Sequence, residues 1–260
     1  MDKTSYPIGL FDSGVGGTSI WKEIHHLLPG EDTLYLADSK NAPYGQKCKD
    51  EIIALSVKNT EFLLDKNCKL IVVACNTATT NAIKELRSKY DVPFIGIEPA
   101  IKPAATQTQT QTVGVLATKG TLSSQLFHQT LSNYRNIRVI EQVGHNLVQL
   151  IESGQLESEE MNELLNTYLQ PMIEANIDYL VLGCSHYPYL VPQIRKILPE
   201  GVKIIDSGEA VAKQTKNVLQ LNNLLNLQST SSNNTFYTNG DPKVLSSLIG
   251  QPYTVLKEGF

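Results

Sequence analysis

Two cysteines in this 260-residue chain stand where a thiol could exchange a proton with a bound ligand. Cys75 ends the apolar run KLIVVAC, and Cys184 ends the similar run DYLVLGC. Hydrogen-bonding side chains follow each cysteine: Asn76 and Thr77 after the first, Ser185 and His186 after the second. A thiol whose pKa lies near neutral can accept or release a proton, so the pair predicts acid–base chemistry.

The predicted position of each cysteine favours its thiolate. Both are expected where a strand gives way to a helix, and the first-turn N–H groups and helix dipole lower a thiol pKa from about 8.5. The alternative is that both are filler, meaning side chains that only occupy space in the core, since free cysteine is among the most buried residue types. Cys48 and Cys68 lack such polar neighbours and are predicted to be filler.

A glycine-rich segment, DSGVGG at residues 12–17, follows the first apolar run. Ser19 stands where a dinucleotide fingerprint needs its third glycine, and no GK[ST] follows as in a P-loop. Backbone N–H groups of such a turn could still bind a carboxylate; otherwise it is only a tight turn. Asp12 could orient a neighbouring base or cap a helix, and Asp206 is predicted to be a cap.

Two further features could serve the same site. His186 lies two residues beyond Cys184 and could share protons with it, although a lone histidine is more often structural. The loop NAPYG at residues 41–45 combines a proline, a glycine and a tyrosine hydroxyl, a composition found in substrate loops.

The elements that position these residues alternate between strand and helix. Apolar strand patterns occur at residues 7–11, 32–38, 69–75, within 91–98, and again in TVGVLAT, IRVIEQ, DYLVLGC, VKIIDSG and FYTNGD. Helical patterns lie between them, among them 50–66, 76–90, TLSSQLFHQTLS and about 209–221. This alternation predicts parallel sheets with right-handed crossovers. Ligands bind beyond the carboxyl ends of such strands, where both cysteines are expected.

The sequence contains two candidate internal matches. KLIVVACNTATTNAIKEL and DYLVLGCSHYPYLVPQI share a frame of apolar strand, cysteine, two polar residues and helix, and Asp-Ser-Gly occurs at both 12–14 and 206–208. If the repeat is real, two similar half-molecules face each other and each offers a cysteine. We therefore predict two similar parallel-sheet α/β domains related by a pseudo-two-fold, with the active site in the cleft between them.

The predicted domain boundaries follow from the polar, low-complexity stretch at residues 103–112 (PAATQTQTQT), taken as a surface connection near a boundary. Residues 1–98 with 208–260 are predicted to form the domain of Cys75, and residues 99–207 the domain of Cys184. A single α/β unit of this size is the alternative.

Composition excludes several classes of protein. With 22 basic and 26 acidic side chains the net charge is −4, and without a basic cluster no nucleic-acid partner is expected. No run of about 18 apolar residues predicts a membrane span. The start MDKTSYPIGLFDSG lacks the apolar core of a signal peptide, so a cytoplasmic location is expected.

Together these motifs make the sequence similar to a known family. GLFDSGVGG (9–17), NAPYG (41–45), ACNTA (74–78), GVLATKGT (114–121) and GCSHYP (183–188) occur in order along most of the chain. In this it resembles the glutamate racemases of the cofactor-independent aspartate/glutamate racemase superfamily.

The resemblance implies interconversion of L- and D-glutamate without cofactor or metal, supplying D-glutamate for peptidoglycan synthesis, in a homodimer. It implies that Cys75 acts on D-glutamate with Asp12 assisting, and Cys184 on L-glutamate with His186 assisting. Glu152, in the loosely similar stretch LIESG, would assist near the second cysteine. The residues implied to bind substrate are Asp12, Ser13, Pro43, Tyr44, Gly45, Asn76, Thr77, Thr121, Ser185 and His186. One departure is Ser185, where the family usually has threonine; the hydroxyl is kept and a methyl is lost.

Three alternatives remain open at this point. The first is an aspartate racemase or a related decarboxylase of the same superfamily. The second is a zinc enzyme with Cys75, Cys184 and His186 as ligands. The third is a non-enzymatic amino-acid binding module with two α/β lobes.

Overall fold

The computed structural model describes residues 3–260, and within them ten strands, all paired in parallel, form two sheets. The first two residues of the predicted first domain lie outside the described residues. The strand order is β10-β9-β2-β1-β3-β4 in the six-stranded sheet and β6-β5-β7-β8 in the four-stranded sheet. The predicted α/β class with parallel sheets is confirmed.

The six-stranded sheet takes its strands from both ends of the chain. They are β1 (Ile8–Asp12), β2 (Thr33–Ala37), β3 (Leu70–Val73), β4 (Phe94–Gly96), β9 (Asn234–Thr238) and β10 (Val255–Lys257). β1, β2 and β3 are buried along their whole length because helices cover both faces of the sheet there. The register pairs Leu10 with Tyr35 on one side and with Val72 on the other.

The four-stranded sheet is formed by the middle of the chain. Its strands are β5 (Thr112–Ala117), β6 (Arg138–Val143), β7 (Tyr179–Gly183) and β8 (Lys203–Ile205). β5 and β7 are wholly buried, whereas β6 lies at the edge and is largely half-exposed. These strands all come from the predicted second domain, and the boundary positions themselves stay a prediction.

The two sheets share one strand order, since β2-β1-β3-β4 and β6-β5-β7-β8 have the same connectivity. Cys75 follows β3 and Cys184 follows β7, which are equivalent strands. The repeated order is what a pseudo-two-fold requires. The Asp-Ser-Gly match is a coincidence, however: Asp12 ends β1, whereas Asp206 follows β8, and these strands are not equivalent.

Eleven α-helices within residues 3–260 connect the strands. They are α1 (Thr18–Leu27), α2 (Lys49–Asp65), α3 (Asn76–Lys89), α4 (Ile101–Gln107), α5 (Lys119–Leu122), α6 (Gln125–Leu131), α7 (Leu147–Glu152), α8 (Glu159–Glu174), α9 (Val191–Ile197), α10 (Gly208–Leu221) and α11 (Pro242–Ile249). Short 3-10 turns lie at Ser39–Asn41, Tyr44–Gln46 and Tyr187–Leu190.

Three predicted segments differ in the structure. Half of the supposed connection at 103–112 is helical, because Pro103 fits the first turn of α4 and Ala104 packs into the core. The helix predicted at 121–132 is broken in two, since the Ser124 hydroxyl accepts from the Phe127 N–H and begins α6. After Cys184 the chain forms a 3-10 turn before α9, with prolines near the start of both.

Buried apolar side chains join the layers around both sheets. The largest cluster extends from Trp21 and Ile24 of α1, through Tyr35 and Phe236, to Leu165 and Leu169 of α8, so it contacts both sheets. Trp21 packs edge-on against Phe236 and donates from its indole N–H to the Thr33 hydroxyl at 2.8 Å. In the described residues, no helix has the length and apolarity needed to cross a membrane.

Candidate active site

A small pocket lies where the carboxyl ends of the two sheets meet. Its cavity volume is about 10 Å³. Its lining comes from the loops after β1, β2, β3, β5 and β7 and from α7: Ser13, Pro43, Tyr44, Gly45, Cys75, Asn76, Thr77, Thr118, Val148, Cys184, Ser185 and His186. Both cysteines therefore line one pocket, each at the end of an equivalent strand.

Cys75 begins the regular helix α3. Its sulfur accepts from the Ala78 N–H at 3.5 Å, and its thiol donates to the Ser13 hydroxyl at 3.6 Å. Burial raises the pKa of the Cys75 thiol above its ordinary range, and the charge of Asp12 raises it further. The Ala78 and Ser13 contacts act in the opposite direction without overcoming burial. The predicted net lowering of the Cys75 pKa is therefore wrong, because burial outweighs the effect of the helix terminus.

Cys184 is buried beside an imidazole. Its sulfur lies 3.8 Å from Nδ1 of His186, whose own ring is almost fully enclosed. The second nitrogen of that ring, Nε2, lies 2.6 Å from Oε1 of Glu152. The second cysteine thus has an imidazole and a carboxylate behind it, whereas Cys75 has a hydroxyl and a backbone N–H.

Glu152 ends α7 and joins the two halves of the molecule. Its Oε1 accepts from the Val15 N–H of the glycine-rich turn at 2.6 Å, and its Oε2 accepts from the Ser39 hydroxyl at 2.7 Å. The glycine-rich turn does bind a carboxylate through a backbone N–H, and that carboxylate is Glu152 of this chain.

The glycines of the turn permit this close approach. A Cβ atom at Gly14 would lie 1.8 Å from Oε1 of Glu152, and one at Gly16 would lie 2.2 Å from Nδ1 of His186. Any side chain at these two positions would displace the carboxylate or the imidazole. Two glycines of DSGVGG therefore serve contact with the opposite side of the cleft.

Asp12 is fully buried at the end of β1. Its carboxylate accepts from the Gly17 N–H at 2.9 Å, the Gly14 N–H at 3.3 Å and the Ser185 hydroxyl at 3.1 Å. Burial raises the pKa of Asp12, although the nearby His186 charge opposes this. Asp12 is thus bonded to the Cys184 side and influences Cys75 through its charge. Its predicted assistance to Cys75 stays a prediction.

The buried His186 ring has a raised pKa in this arrangement. Burial by itself lowers the pKa of His186, but its contacts with Cys184 and Glu152 and the charge of Asp12 raise it well above the ordinary range. Nε2 lies 2.6 Å from Oε1 of Glu152 and accepts from the Gly16 N–H at 3.3 Å, and Nδ1 faces Cys184 and, at 3.9 Å, Asp12. The second thiol therefore has a buried imidazole of raised pKa beside it.

Neutral polar groups form much of the remaining wall. The hydroxyls of Thr77, Thr118 and Thr121 lie 2.9 to 3.4 Å from one another, across the boundary between the two sheets. Both side-chain polar atoms of Asn76 are buried without a hydrogen-bond partner, a costly condition unless a ligand supplies one. The lining, all within the described residues, includes no lysine or arginine. A carboxylate bound here would be held by hydroxyl, amide and N–H donors.

Tyr44 contributes a buried ring rather than a free hydroxyl. Its hydroxyl donates to Oδ2 of Asp38 and accepts from the Asn59 amide at 3.1 Å. The tyrosine hydroxyl suggested by the NAPYG motif therefore fixes the loop, while Pro43 and Gly45 beside it face the pocket.

The structure brings the predicted site residues together. All line the pocket except Asp12, Glu152 and Thr121, which contact residues that do. Sequence reasoning missed Thr118 and Val148. Thr118 could have been found as the residue that caps α5 within GVLATKGT, whereas nothing marked Val148. Cys48 is exposed and Cys68 is buried away from the pocket, where burial raises its pKa to about 12.

The zinc alternative has little geometric support. Across residues 3–260, no three His, Cys, Asp or Glu side chains are grouped in a way that could hold a metal ion. Cys184 and His186 are neighbours, while Cys75 is bonded to Ser13 on the other side of the pocket.

Comparison with known proteins gives a consistent result. Residues 8–215 match the model of the Asp/Glu/Hydantoin racemase family. The chain is 44% identical over 237 residues to a glutamate racemase of Herpetosiphon aurantiacus, covering 91% of this chain and 93% of that one. Among solved structures, a glutamate racemase isoform from Bacillus anthracis has a TM-score of 0.88 at 30% identity, covering 98% of both chains. The glutamate racemase of Escherichia coli, solved with L-glutamate and an activator, has a TM-score of 0.86 at 32% identity, covering 96% of this chain and 97% of that one.

Proposed function

The chain belongs to the Asp/Glu/hydantoin racemase family and is an amino-acid racemase, and we propose that it interconverts L- and D-glutamate by proton transfer between Cys75, the α-carbon and Cys184. The observation that carries the proposal is the single small pocket lined by both sulfurs. The names of the similar proteins support glutamate as the substrate.

In the direction from L to D, the Cys184 thiolate removes the α-proton of L-glutamate. The electron pair of the broken C–H bond is delocalised into the α-carboxylate. The Cys75 thiol then delivers its proton to the opposite face of the planar carbon, and the new C–H bond gives D-glutamate. Cys184 ends as a thiol and Cys75 as a thiolate, which is the state that accepts D-glutamate for the reverse reaction.

Two features of the pocket suit this chemistry. Only one of the two sulfurs is charged at a time, so the enclosed site never holds two thiolates together. The raised pKa of Cys75 makes its thiolate a stronger base, and an amino-acid α-proton is weakly acidic. Burial thus lowers the fraction of Cys75 that is ionised, but it makes the thiolate that does form a stronger base.

The substrate carboxylates would be bound by the neutral donors of the wall. Asn76 has two unpartnered polar atoms, and Thr77, Thr121, Ser13 and Ser185 supply hydroxyls nearby. Donors directed at the α-carboxylate stabilise the charge that develops there when the α-proton leaves. No cofactor or metal enters this scheme.

The wider role follows from the product. We propose that the D-glutamate formed supplies peptidoglycan synthesis, that the protein works in the cytoplasm, and that it is a homodimer. We also propose that residues 1–98 with 208–260 and residues 99–207 fold as two domains that close over the substrate. The strands of the six-stranded sheet and of the four-stranded sheet fall on these two sets.

One assay separates the proposal from its rivals. Circular dichroism should show each enantiomer of glutamate losing its optical activity, with no such change for L- or D-aspartate. Dialysis against a chelator should leave the rate unchanged. Activity on aspartate alone would move the chain to the aspartate branch, loss on chelation would favour zinc, and binding without turnover would leave a binding module.

A further inference from the structure

Ser39 connects the start of the substrate loop to the side of the pocket that contains Cys184. Its hydroxyl donates to Oε2 of Glu152 at 2.7 Å, although Ser39 itself does not line the pocket. Glu152 in turn holds Nε2 of His186, and Nδ1 of His186 faces the Cys184 sulfur. A continuous row of contacts therefore runs from Ser39 to one of the two thiols.

The segment that follows β9 fixes the backbone around Ser39. The Asn239 side chain, just after β9, accepts from the Lys40 N–H at 2.9 Å and donates to Oδ1 of Asp38 at 2.5 Å. It thus holds the residue on either side of Ser39. A Cβ atom at Gly240 would lie 2.8 Å from the Ser39 Cβ, so the chain there packs closely against Ser39.

Asp38, the residue before Ser39, contacts the opposite wall of the pocket, which contains Cys75. Asp38 accepts from the Tyr44 hydroxyl, and Tyr44 packs in the cluster that contains Cys75. Consecutive residues of one loop therefore reach opposite sides of the pocket, Asp38 through Tyr44 and Ser39 through Glu152.

We propose that Ser39 is a positioning residue that holds Glu152 against His186 and so prepares Cys184, and not Cys75, for proton transfer. This inference rests on the proposed function and adds a residue outside the pocket to it. Without the hydroxyl, Oε2 of Glu152 loses its donor, and the carboxylate is free to turn away from the imidazole.

In a racemase, a change that slows proton transfer at only one of the two cysteines cannot be detected by comparing kcat/KM between the two directions. Enantiomers have equal free energies in an achiral solvent, so kcat/KM must fall equally in both directions. The substrate deuterium isotope effect, in contrast, can differ between the reaction of L-glutamate and the reaction of D-glutamate. When transfer at Cys184 becomes slower, removal of deuterium from L-glutamate limits the rate more, and removal from D-glutamate limits it less.

The test compares Ser39→Ala with wild-type protein, using L- and D-glutamate labelled with deuterium at the α-carbon. We expect kcat/KM to fall about tenfold in both directions, as for loss of one hydrogen bond to a charged group. The isotope effect should rise with L-glutamate and fall with D-glutamate. Ser39→Thr, which keeps the hydroxyl, should restore both values.

Lys40→Ala is the matched control, because its side chain is exposed and its backbone N–H contact with Asn239 is kept. Ser39→Gly is an independent variant that also removes the hydroxyl and should move the isotope effects in the same sense, and it decides the question should Ser39→Ala not fold. Unchanged or symmetric isotope effects in both variants would overturn the role of Ser39. A wild-type protein without glutamate turnover would instead overturn the proposed function.

Discussion

The two sides of the pocket share a scaffold but surround their thiols differently. Cys75 begins a 14-residue helix and is bonded to a serine hydroxyl and a backbone N–H. Cys184 precedes a 3-10 turn and lies against the His186 imidazole, which Glu152 holds from behind. Equivalent strands position both sulfurs, whereas the loops after them decide the charge that each sulfur meets.

This difference teaches that a symmetric reaction does not need symmetric surroundings. The first side leaves its thiol in a desolvated, neutral environment with the Asp12 charge nearby, which favours the protonated form. The second side places the His186 ring beside its thiol, and although burial lowers the pKa of that ring, contacts with Cys184 and Glu152 raise it. The surroundings of Cys75 therefore favour the thiol that the proposed reaction from L- to D-glutamate requires on that side.

The largest expected effect comes from removing either sulfur. Cys75→Ala and Cys184→Ala should each lower racemisation by about 10⁴-fold or more, because each removes an obligatory proton carrier. The rate would be followed by circular dichroism from both enantiomers. Cys48→Ala, at an exposed cysteine, is the control and should retain the wild-type rate. Substantial turnover in either active-site variant would contradict the assignment of one thiol to each side.

The next effect concerns Gly16 of the glycine-rich turn, which lies against His186 on the Cys184 side. In Gly16→Ala the new Cβ would lie 2.2 Å from Nδ1 of His186, so the ring must move. A displacement of about 1 Å at such a site can reduce the rate about 10²-fold, and we expect a loss of that size in kcat. Gly259→Ala is the control, since nothing lies near its Cβ position. A Gly16→Ala enzyme with normal kcat would mean that the His186 position is not critical.

A smaller effect is expected at Ser185, where the family usually has threonine. Its hydroxyl donates to Asp12 at 3.1 Å. Ser185→Ala should lower kcat/KM by about three- to tenfold, the loss expected for one ordinary hydrogen bond. Ser185→Thr keeps the hydroxyl and should stay within about threefold of wild type. A larger loss with threonine than with alanine would show that the pocket has no room for the methyl.

The smallest effect is on stability and sharpens the electrostatic contrast. The folded-state pKa values of Asp12 and His186 are both raised, from 3.8 and 6.5. Burial is the main cause for Asp12, and for His186 the contacts with Cys184, Glu152 and Asp12 outweigh burial. Raised values mean that the folded state holds protons more tightly, so the associated stability is greatest at low pH and is lost as pH rises through the folded-state values.

Urea unfolding of wild type and of the Asp12→Asn/His186→Asn double variant would test this. The difference in their free energies of unfolding should decrease by on the order of 1 kcal/mol between about pH 5 and about pH 9. A difference that grows with pH would contradict the raised pKa values of Asp12 and His186.

Much of the fold could be predicted because its central strands are easily recognised in the sequence. KLIVVAC and DYLVLGC are continuous apolar runs, which parallel sheets covered on both faces require. The broken helix at Ser123–Ser124 and the helical half of residues 103–112 could not be predicted in the same way. Ser124 caps a new helix in the first segment, and Pro103 is accommodated in the first turn of α4 in the second. Both are local effects that the spacing of apolar residues does not indicate.

The site was predictable where residue type and strand end coincide, as at Cys75, Cys184 and Asp12. The contacts between distant segments were not. Glu152 meets the turn at Val15 across 137 positions of sequence, and Ser39 reaches it across 113. The glycines of DSGVGG suggested a turn that binds a ligand. Instead they allow the Glu152 carboxylate and the His186 imidazole, from the other half of the molecule, to approach the turn closely.

The central claim is that the two thiols act on opposite faces of one α-carbon. Its most direct test is racemisation of each glutamate enantiomer in deuterated water, stopped at low conversion and analysed by mass spectrometry after separating the enantiomers. Two separate proton carriers predict deuterium at the α-carbon of the product enantiomer, with the remaining substrate still protiated, in both directions. Deuterium appearing equally in substrate and product, or product that retains the original α-hydrogen, would contradict it.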